Sequence, residues 1–412
     1  MREKQHEPIA FELAQSVKIQ NQKILYLCDS DKEARLIKNE LLLFMNDDEI
    51  GYYPEREILP YDRFSTADSI IQQRIKLLNA DKTKIKIIIT SCINLFEKLP
   101  SKNFFISRKI FKIGNTLTIK DLTTSLEKLK YERVDKVRSI NQYTVRGGVV
   151  DFYSGFQLNP IRVDFFGDQI DEIREFDPKT QNMTSKLSEF KLYTGSEINL
   201  DEDSIGNFKF AWRNYFQSHD ERHCEIFQSL ASGQFPEGYE IYNPLIQEGE
   251  SNLIDYFSEF TLHKSNQIDQ VLDSHQAFVE ERYIEESIDS SRPILNPNDY
   301  IFTLKDIHKY TKLAKEIKIL DPDPIIDQSI EKNIQLKILI EKHAKKEIET
   351  LLITSSEQTK LDQINKQYKT TITSLPFNLH KGIFSCIHLP VRSFVSKNGK
   401  FVHLNLDRVT SS

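Results

Sequence analysis

Residues 143–177 carry the sequence YTVRGGVVDFYSGFQLNPIRVDFFGDQIDEIREFD, in which apolar and polar residues alternate in three runs. The runs are Val145–Phe152, Ile161–Phe166 and Ile170–Phe176. An eight-residue connection that contains Asn159 and Pro160 separates the first two, and a Gly167-Asp168 turn separates the last two. A period of two residues indicates β-strands, and such short connections indicate hairpins. We therefore predict a three-stranded antiparallel meander.

The second run predicts which side chains of the meander face solvent. Residues 161, 163 and 165 point to one side of the strand, and Arg162, Asp164 and Phe166 point to the other. If the first set forms the core, Arg162 and Phe166 stand together on the outer face. A basic residue beside an exposed aromatic ring is typical of a protein-binding hot spot. An ordinary solvated sheet face with one stray Phe is the alternative interpretation, because isolated exposed apolar residues are common.

A second arginine, Arg146, belongs to the same surface only in one strand register. Folding the hairpin about residues 156–157 brings Arg146 opposite Phe166 or Gly167. A one-residue shift in pairing moves its side chain to the other face of the sheet. A bulge at Gly147-Gly148 could decide between the two registers. The sequence leaves this choice open.

Length and composition indicate a globular protein of two to four domains. The chain has 412 residues, of which 39% are hydrophobic and 28% are charged. A net charge of −6 argues against broad binding of nucleic-acid backbones. The cysteines of the chain are scattered, at Cys28, Cys92, Cys224 and Cys386. This spacing indicates neither a zinc ribbon nor a disulfide scaffold, so we expect a cytoplasmic location. No apolar run is long enough for a membrane span, and we expect a monomer.

The flanking sequence predicts an α/β fold that the meander interrupts. Strand and helix patterns alternate over residues 1–107, which indicates a parallel sheet. Residues 108–193 form a small α+β insert, and residues 194–319 continue the first domain. The segments predicted as strands that return to the first sheet are Leu253–Phe257, Thr261–Leu262 and Tyr300–Phe302. Prolines among aspartates mark 320–332 as a linker, and 333–412 form a second small α/β domain.

Nucleotide chemistry is not expected from the first domain. Parallel α/β sheets often hold nucleotides at the first strand-to-helix turn through GxxxxGK[ST], but no glycine precedes Asp31. Without it the backbone cannot wrap a phosphate, so we expect a degenerate nucleotide fold with no catalytic or cofactor-binding residue. No metal site is expected either. His219 and His223 have the spacing of a zinc motif, but Asp220 stands where that motif has Glu and no third ligand is apparent.

Four separated motifs stand in order along the chain: YPEREILPYDRFSTADSIIQQRIKLL (53–78), VRGGVVDFYS (145–154), IRVDFFGDQIDEIREFD (161–177) and GQFPEGYEIYNPL (233–245). Together they resemble the N-terminal region of the bacterial transcription-repair coupling factor family. The excision-repair helicase UvrB is similar in this region. UvrB-type sequences, however, carry a phosphate-binding loop and a long Tyr-rich hairpin, and here only the short Leu59–Ser69 stands in place of the hairpin.

The resemblance implies a UvrB homology module without ATPase activity that recruits the damage-recognition ATPase UvrA in nucleotide excision repair. The family's UvrA-contacting residues fall on Arg146, Arg162 and Phe166. ATP, magnesium, RNA polymerase and duplex DNA would belong to a C-terminal translocase motor outside this sequence. The alternatives are a UvrB-like ATP-dependent helicase half and a damaged-DNA-binding module.

Overall fold

The structure is a computed structural model. It describes residues 9–105, 110–154, 157, 159–192, 194–217, 219–247, 249–317, 331–378, 380–388, 391, 393–396 and 400–407. Most of the predicted linker 320–332 lies outside the described residues. The chain has the α/β class expected from the sequence, with two largely parallel sheets and an antiparallel sheet between them in the sequence. In the described part of the chain, no helix is long and apolar enough to cross a membrane.

The first elements alternate strand and helix, as predicted. They are α1 (Ile9–Gln20), β1 (Ile24–Cys28), α2 (Asp31–Leu41), β2 (Ile50–Tyr53), α3 (Asp68–Leu78) and β3 (Ile87–Ser91). Ser30 caps α2 by accepting a hydrogen bond from the Glu33 amide. All residues of β1 and β3 are buried, because a parallel sheet is covered on both faces.

The insert contains a larger antiparallel sheet than the sequence predicted. Its elements are β4 (Ile110–Lys112), α4 (Ile119–Lys128), β5 (Glu132–Arg133), β6 (Gln142–Arg146), β7 (Val149–Phe152), β8 (Ile161–Phe166), β9 (Gln169–Phe176), β10 (Met183–Leu187) and β11 (Glu189–Lys191). Six strands pair in the order β10-β9-β8-β7-β6-β5, and all neighbours are antiparallel except β5 and β6. The run Val145–Phe152 is therefore two strands and not one, because the chain reverses direction at Gly147-Gly148.

After the insert the chain returns to the first sheet. The elements are α5 (Glu202–Tyr215), α6 (Glu225–Ala231), α7 (Asn243–Ile246), α8 (Leu253–Tyr256), β12 (Thr261–Ser265), α9 (Ile268–Glu286), α10 (Pro297–Tyr300), α11 (Leu304–Thr311) and β13 (Lys315–Ile317). Strand β12 pairs with β1 and β13 pairs with β12, which gives a parallel sheet in the order β13-β12-β1-β3-β2.

Two of the three predicted returning strands are wrong. Leu253–Phe257 forms the helical turn α8, because Asn252 and Asp255 make a reciprocal capping box around its first turn. The segment Tyr300–Phe302 begins with the last residue of α10. Pro297 is the first residue of this helix, a position that proline favours. Ile301 makes only an isolated bridge to Glu97. Thr261–Leu262 is confirmed as part of β12.

A buried ion cluster joins distant parts of this first domain. Arg56 and Arg74 both contact Glu97 and Glu197, with Arg56 Nε 2.9 Å from Glu97 Oε2 and Arg74 Nε 3.1 Å from Glu197 Oε1. The Arg74 side chain is fully buried, and its guanidinium lies 4.2 Å from the centre of the Tyr53 ring. Burial raises the pKa of Glu197, but the two arginines outweigh burial and hold it below its usual value.

The C-terminal unit is a second α/β sheet. Its elements are α12 (Lys332–Ala344), β14 (Thr350–Ser355), α13 (Gln358–Tyr368), β15 (Thr371–Ile372), β16 (Gly382–Ile387), β17 (Phe394–Val395) and β18 (Phe401–Asn405). The strand order is β15-β16-β14-β18-β17, and only the edge strand β17 runs antiparallel to its neighbour. The helices α12 and α13 pack on one face of this sheet.

The other face of the C-terminal sheet shares a core with the first domain. Phe11 of α1 stacks on Phe401 at a ring-centre distance of 5.1 Å, and Phe44 approaches both Phe394 and Phe401. The Phe377 amide donates a hydrogen bond to the Leu43 carbonyl at 2.6 Å. This aromatic contact lies in one continuous cluster with β1 and α2, so the C-terminal unit is packed onto the first domain.

Candidate functional site

The hairpin β6–β7 and the strand β8 bring two arginines to one buried carboxylate. Arg162 donates from Nε and Nη2 to the two oxygens of Asp151, at 2.7 and 2.8 Å. Arg146 Nη2 donates to Asp151 Oδ2 at 2.8 Å. Asp151 is 1% exposed, so its charge is balanced by the arginines and not by water. Both guanidinium groups are therefore held in fixed positions.

Strand pairing explains why these side chains share a face. Asp151 lies directly opposite Arg162, and Arg146 lies opposite Val149. Directly paired residues of antiparallel strands point to the same side of a sheet, and so do residues two apart in one strand. Since Val149 and Asp151 are two apart, Arg146 and Arg162 lie on the same face. This settles the register that the sequence left open.

Arg162 is more enclosed than the sequence suggested. Its side chain is 23% exposed, against 54% for Arg146. The guanidinium lies over the buried ring of Phe176 at 4.7 Å from the ring centre. The hydrogen bonds that Arg162 donates to the Asp151 carboxylate raise the pKa of Arg162 above its usual value. Arg162 is thus a fixed, permanently charged group. The alternation alone predicted that it would stand free in solvent, and it does not.

Phe166 ends β8 on the same outer face. It is 82% exposed, whereas Phe165 packs against the insert core. The pairing shifts between Asp164 and Phe165, and the extra residue, Asp171, lies on β9. Alternation along β8 is therefore preserved, and Phe166 stays on the side of Arg162 and Asp164. Four residues of strand place Phe166 about 13 Å from Arg162.

The Gly147-Gly148 turn lies beside the Phe166 end of β8. The Phe165 amide donates to the Gly148 carbonyl at 2.8 Å. Gly147 has a φ of 59°, which favours glycine in a two-residue hairpin. A Cβ on Gly148 would lie 3.2 Å from the Phe165 carbonyl oxygen. The glycines thus form the β6–β7 turn, and the bulge suggested from the sequence is wrong. We call Arg146, Asp151, Arg162 and Phe166 the arginine face.

Sequence reasoning missed Asp151, which organises the arginine face. The pattern Val150-Asp151-Phe152 contained a signal, because a lone acid between two core residues points to the same side as the arginines. Its partner could not be identified until the register was known. The neighbouring charges are also paired across strands, since Arg174 contacts Asp164 and Lys186 contacts Glu172. Of the two arginines that contact Asp151, Arg146 is the more exposed.

The first strand-to-helix turn is filled by the chain's own carboxylates. The Asp31 amide, at the start of α2, donates to Glu55 Oε1 at 3.1 Å. The Asp31 carboxylate accepts from the Glu55 amide and from the Tyr52 hydroxyl. Burial raises the pKa of Glu55. A phosphate placed here would meet these carboxylates in place of glycine amides.

The two histidines of the zinc-like spacing do not lie on one helix. Helix α5 ends at Tyr215, before His219, and the short 3-10 helix Glu221–His223 follows. The 83%-exposed His223 ring lies 3.2 Å from Asp220. Among the described residues, no group of three or more His, Cys, Asp or Glu side chains is arranged to hold a metal ion.

The family comparison identifies the insert. A family model described as the UvrB interaction domain matches residues 110–197, which include the whole arginine face. Curated relatives align over most of the chain, and they are named transcription-repair-coupling factor. The chain is similar to the bacterial transcription-repair-coupling factors. This confirms the resemblance to the coupling factors expected from the four motifs.

The coupling-factor relatives are much longer than this chain. The Haemophilus influenzae relative is 28% identical over 296 residues, which cover 71% of this chain and 26% of the relative. The Rickettsia conorii relative is 27% identical over 92% of this chain and 36% of its own length. The Escherichia coli relative is 30% identical over 58% of this chain and 21% of its own length. The chain thus spans about a fifth to about a third of these coupling factors.

Proposed function

We propose that this chain recruits UvrA in transcription-coupled nucleotide excision repair, and that UvrA docks on the arginine face. The observation that carries the proposal is the placement of Arg146, Arg162 and an exposed Phe166 on one face of the matched UvrB interaction domain. Arg and aromatic residues are enriched in hot spots of protein interfaces. The partner surface would offer carboxylates to the guanidinium groups and a pocket to the ring.

Preorganisation supports this site over a scattered set of surface charges. Asp151 fixes both arginines before a partner arrives, so binding them costs little side-chain entropy. Arg146 has over half of its side chain in solvent, so it can bind a carboxylate of the partner and keep its contact with Asp151. Phe166 would bury a large apolar surface, worth about 1.5–3 kcal/mol when it leaves water completely.

Replacing Phe166 with alanine tests the apolar half of the proposal. We expect the dissociation constant for purified UvrA to rise about tenfold, because the ring is the main apolar anchor of the face. Phe210→Ala is the matched control, since Phe210 is 71% exposed on α5, outside the insert. Titration of labelled chain with UvrA measures both. Wild-type affinity in the Phe166 variant, or an equal loss in both variants, would contradict the assignment.

We also infer that this chain does not use ATP itself, and we assign the translocase activity and RNA polymerase contact to other parts of a complete coupling factor. The carboxylates of Asp31 and Glu55 at the first turn support this inference, because they repel a triphosphate. Millimolar ATP with magnesium should therefore leave the melting temperature unchanged. A saturable increase in melting temperature would favour the helicase alternative.

A further inference from the structure

The last 82 residues carry a net positive charge, although the chain as a whole is negative, because they contain few acidic residues. Residues 331–412 contain 13 of the 55 Lys and Arg residues but only 7 of the 61 Asp and Glu residues. Their net charge is +6, whereas residues 1–330 carry −12. Such an asymmetry within one chain indicates that the basic part has an anionic partner. The overall negative charge hides this feature in the composition.

The register of the C-terminal sheet places several lysines in one row. Lys381 precedes β16 and Lys400 precedes β18, and the first residues of both strands pair with Thr350 of β14. Lys369 lies level with the start of β16, because Thr371 pairs with Phe384. With neighbouring strands about 4.8 Å apart, these three lysines span about 14 Å along the amino-terminal edge of the sheet. All three are exposed.

Helix α12 adds two further lysines at the same edge. It ends at Ala344, and the exposed Lys345 and Lys346 lead into β14 through Glu347 and Glu349. Glu349 is paired with Lys381, whose Nζ lies 2.8 Å from its Oε2. This edge of the sheet therefore carries five lysines and the two carboxylates of Glu347 and Glu349. Cations at a helix C-terminus complement the helix dipole, but the other three lysines belong to different elements.

We propose that this basic edge, Lys345, Lys346, Lys369, Lys381 and Lys400, contacts the phosphate backbone of duplex DNA. One strand of a duplex carries a phosphate every 3.4 Å or so of helix axis, so a 14 Å row of cations faces a length of duplex that carries several phosphates. Lysines that contact only phosphates carry no base information, and binding is therefore independent of sequence. The basic edge belongs to a different sheet from the arginine face, so it is a second interaction surface.

The test is the salt dependence of binding to a fluorescent duplex of about 30 base pairs with the full chain. We expect binding that weakens steeply with salt. In Lys381→Gln/Lys400→Gln, the slope of log affinity against log salt should fall by about 1.8, with an affinity loss of about fivefold or more. Lys305→Gln/Lys312→Gln is the control, because it removes two exposed charges from the α11 region and should bind like wild type.

A second variant guards against local misfolding at the strand ends. Lys346 and Lys369 have φ values of 61° and 53°, a region that asparagine tolerates. Lys346→Asn/Lys369→Asn should therefore fold and show the same reduced slope. Absence of salt-dependent binding by the wild type would overturn the proposal. So would an equal loss in the control, unchanged binding in both edge variants, or binding of an acidic polypeptide without binding of duplex.

Discussion

Replacement of Arg74 by methionine will lower the free energy of unfolding by about 3–5 kcal/mol. The Arg74 side chain is fully buried and contacts Glu97 and Glu197, and its Nη1 also donates to the Pro54 carbonyl at 2.8 Å. Methionine fills a similar volume but leaves Glu197, which is 3% exposed, with Arg56 as its remaining cation. A buried carboxylate that loses a partner retains its full desolvation cost.

The single tryptophan makes this measurement specific. Trp212 lies in the same core as Tyr53 and Ile75, so its fluorescence reports unfolding of the domain that contains Arg74. Urea denaturation of wild type and Arg74→Met gives the difference directly. Arg213→Met is the control, because the Arg213–Glu221 pair lies on the surface, where an ion pair contributes little to stability. A loss below about 1 kcal/mol in Arg74→Met would show that the cluster is not structurally important.

Replacement of Arg162 by alanine will weaken UvrA binding at least about tenfold, or 1.4 kcal/mol and more. The variant removes the more enclosed guanidinium of the arginine face and leaves Asp151 with Arg146 alone. The Asp151 carboxylate, with one neighbouring cation in place of two, would then repel the carboxylates expected on the partner more strongly. The fold of the insert should persist, because its core residues Val150, Val163 and Ile173 lie on the other side of the sheet.

Two further variants separate charge from geometry in this measurement. Arg162→Lys keeps the cation but loses the two-pronged contact with Asp151, so its affinity should fall between those of wild type and the alanine variant. Arg133→Ala removes an exposed arginine from the edge strand β5, where pairing with Tyr143 places it on the other face of the sheet from Arg146, and should bind like wild type. UvrA affinity of Arg162→Ala within about twofold of wild type would contradict the assigned role.

Local patterns predicted the strands of the insert because strand periodicity is written in consecutive residues. The alternation of Ile161–Phe166 gave the inner and outer faces of β8 correctly. It did not give the Gly147-Gly148 reversal, because two glycines are compatible with both a bulge and a tight turn. It also did not reveal that Arg162 lies over Phe176, since that contact requires the pairing of β8 with β9.

Features that depend on distant residues were not predictable. Arg74 and Glu197 are 123 positions apart, and only the return of the chain after the insert brings them together. The apolar residues at Leu253 satisfy both the strand and the helix pattern, and the Asn252 cap decides for the helical turn. The aromatic contact of Phe11 with Phe401 likewise joins the two ends of the sequence. Neither end carries a local signal for the other.

Hydrogen–deuterium exchange of the whole chain with and without saturating UvrA tests the location of docking most directly. The turns at Gly147-Gly148 and Gly167-Asp168 flank the Phe166 end of the arginine face, so their amides are the most sensitive reporters. We predict slowed exchange across residues 142–152 and 161–169 in the complex. UvrA binding that leaves both segments unchanged and protects a different surface would contradict the account.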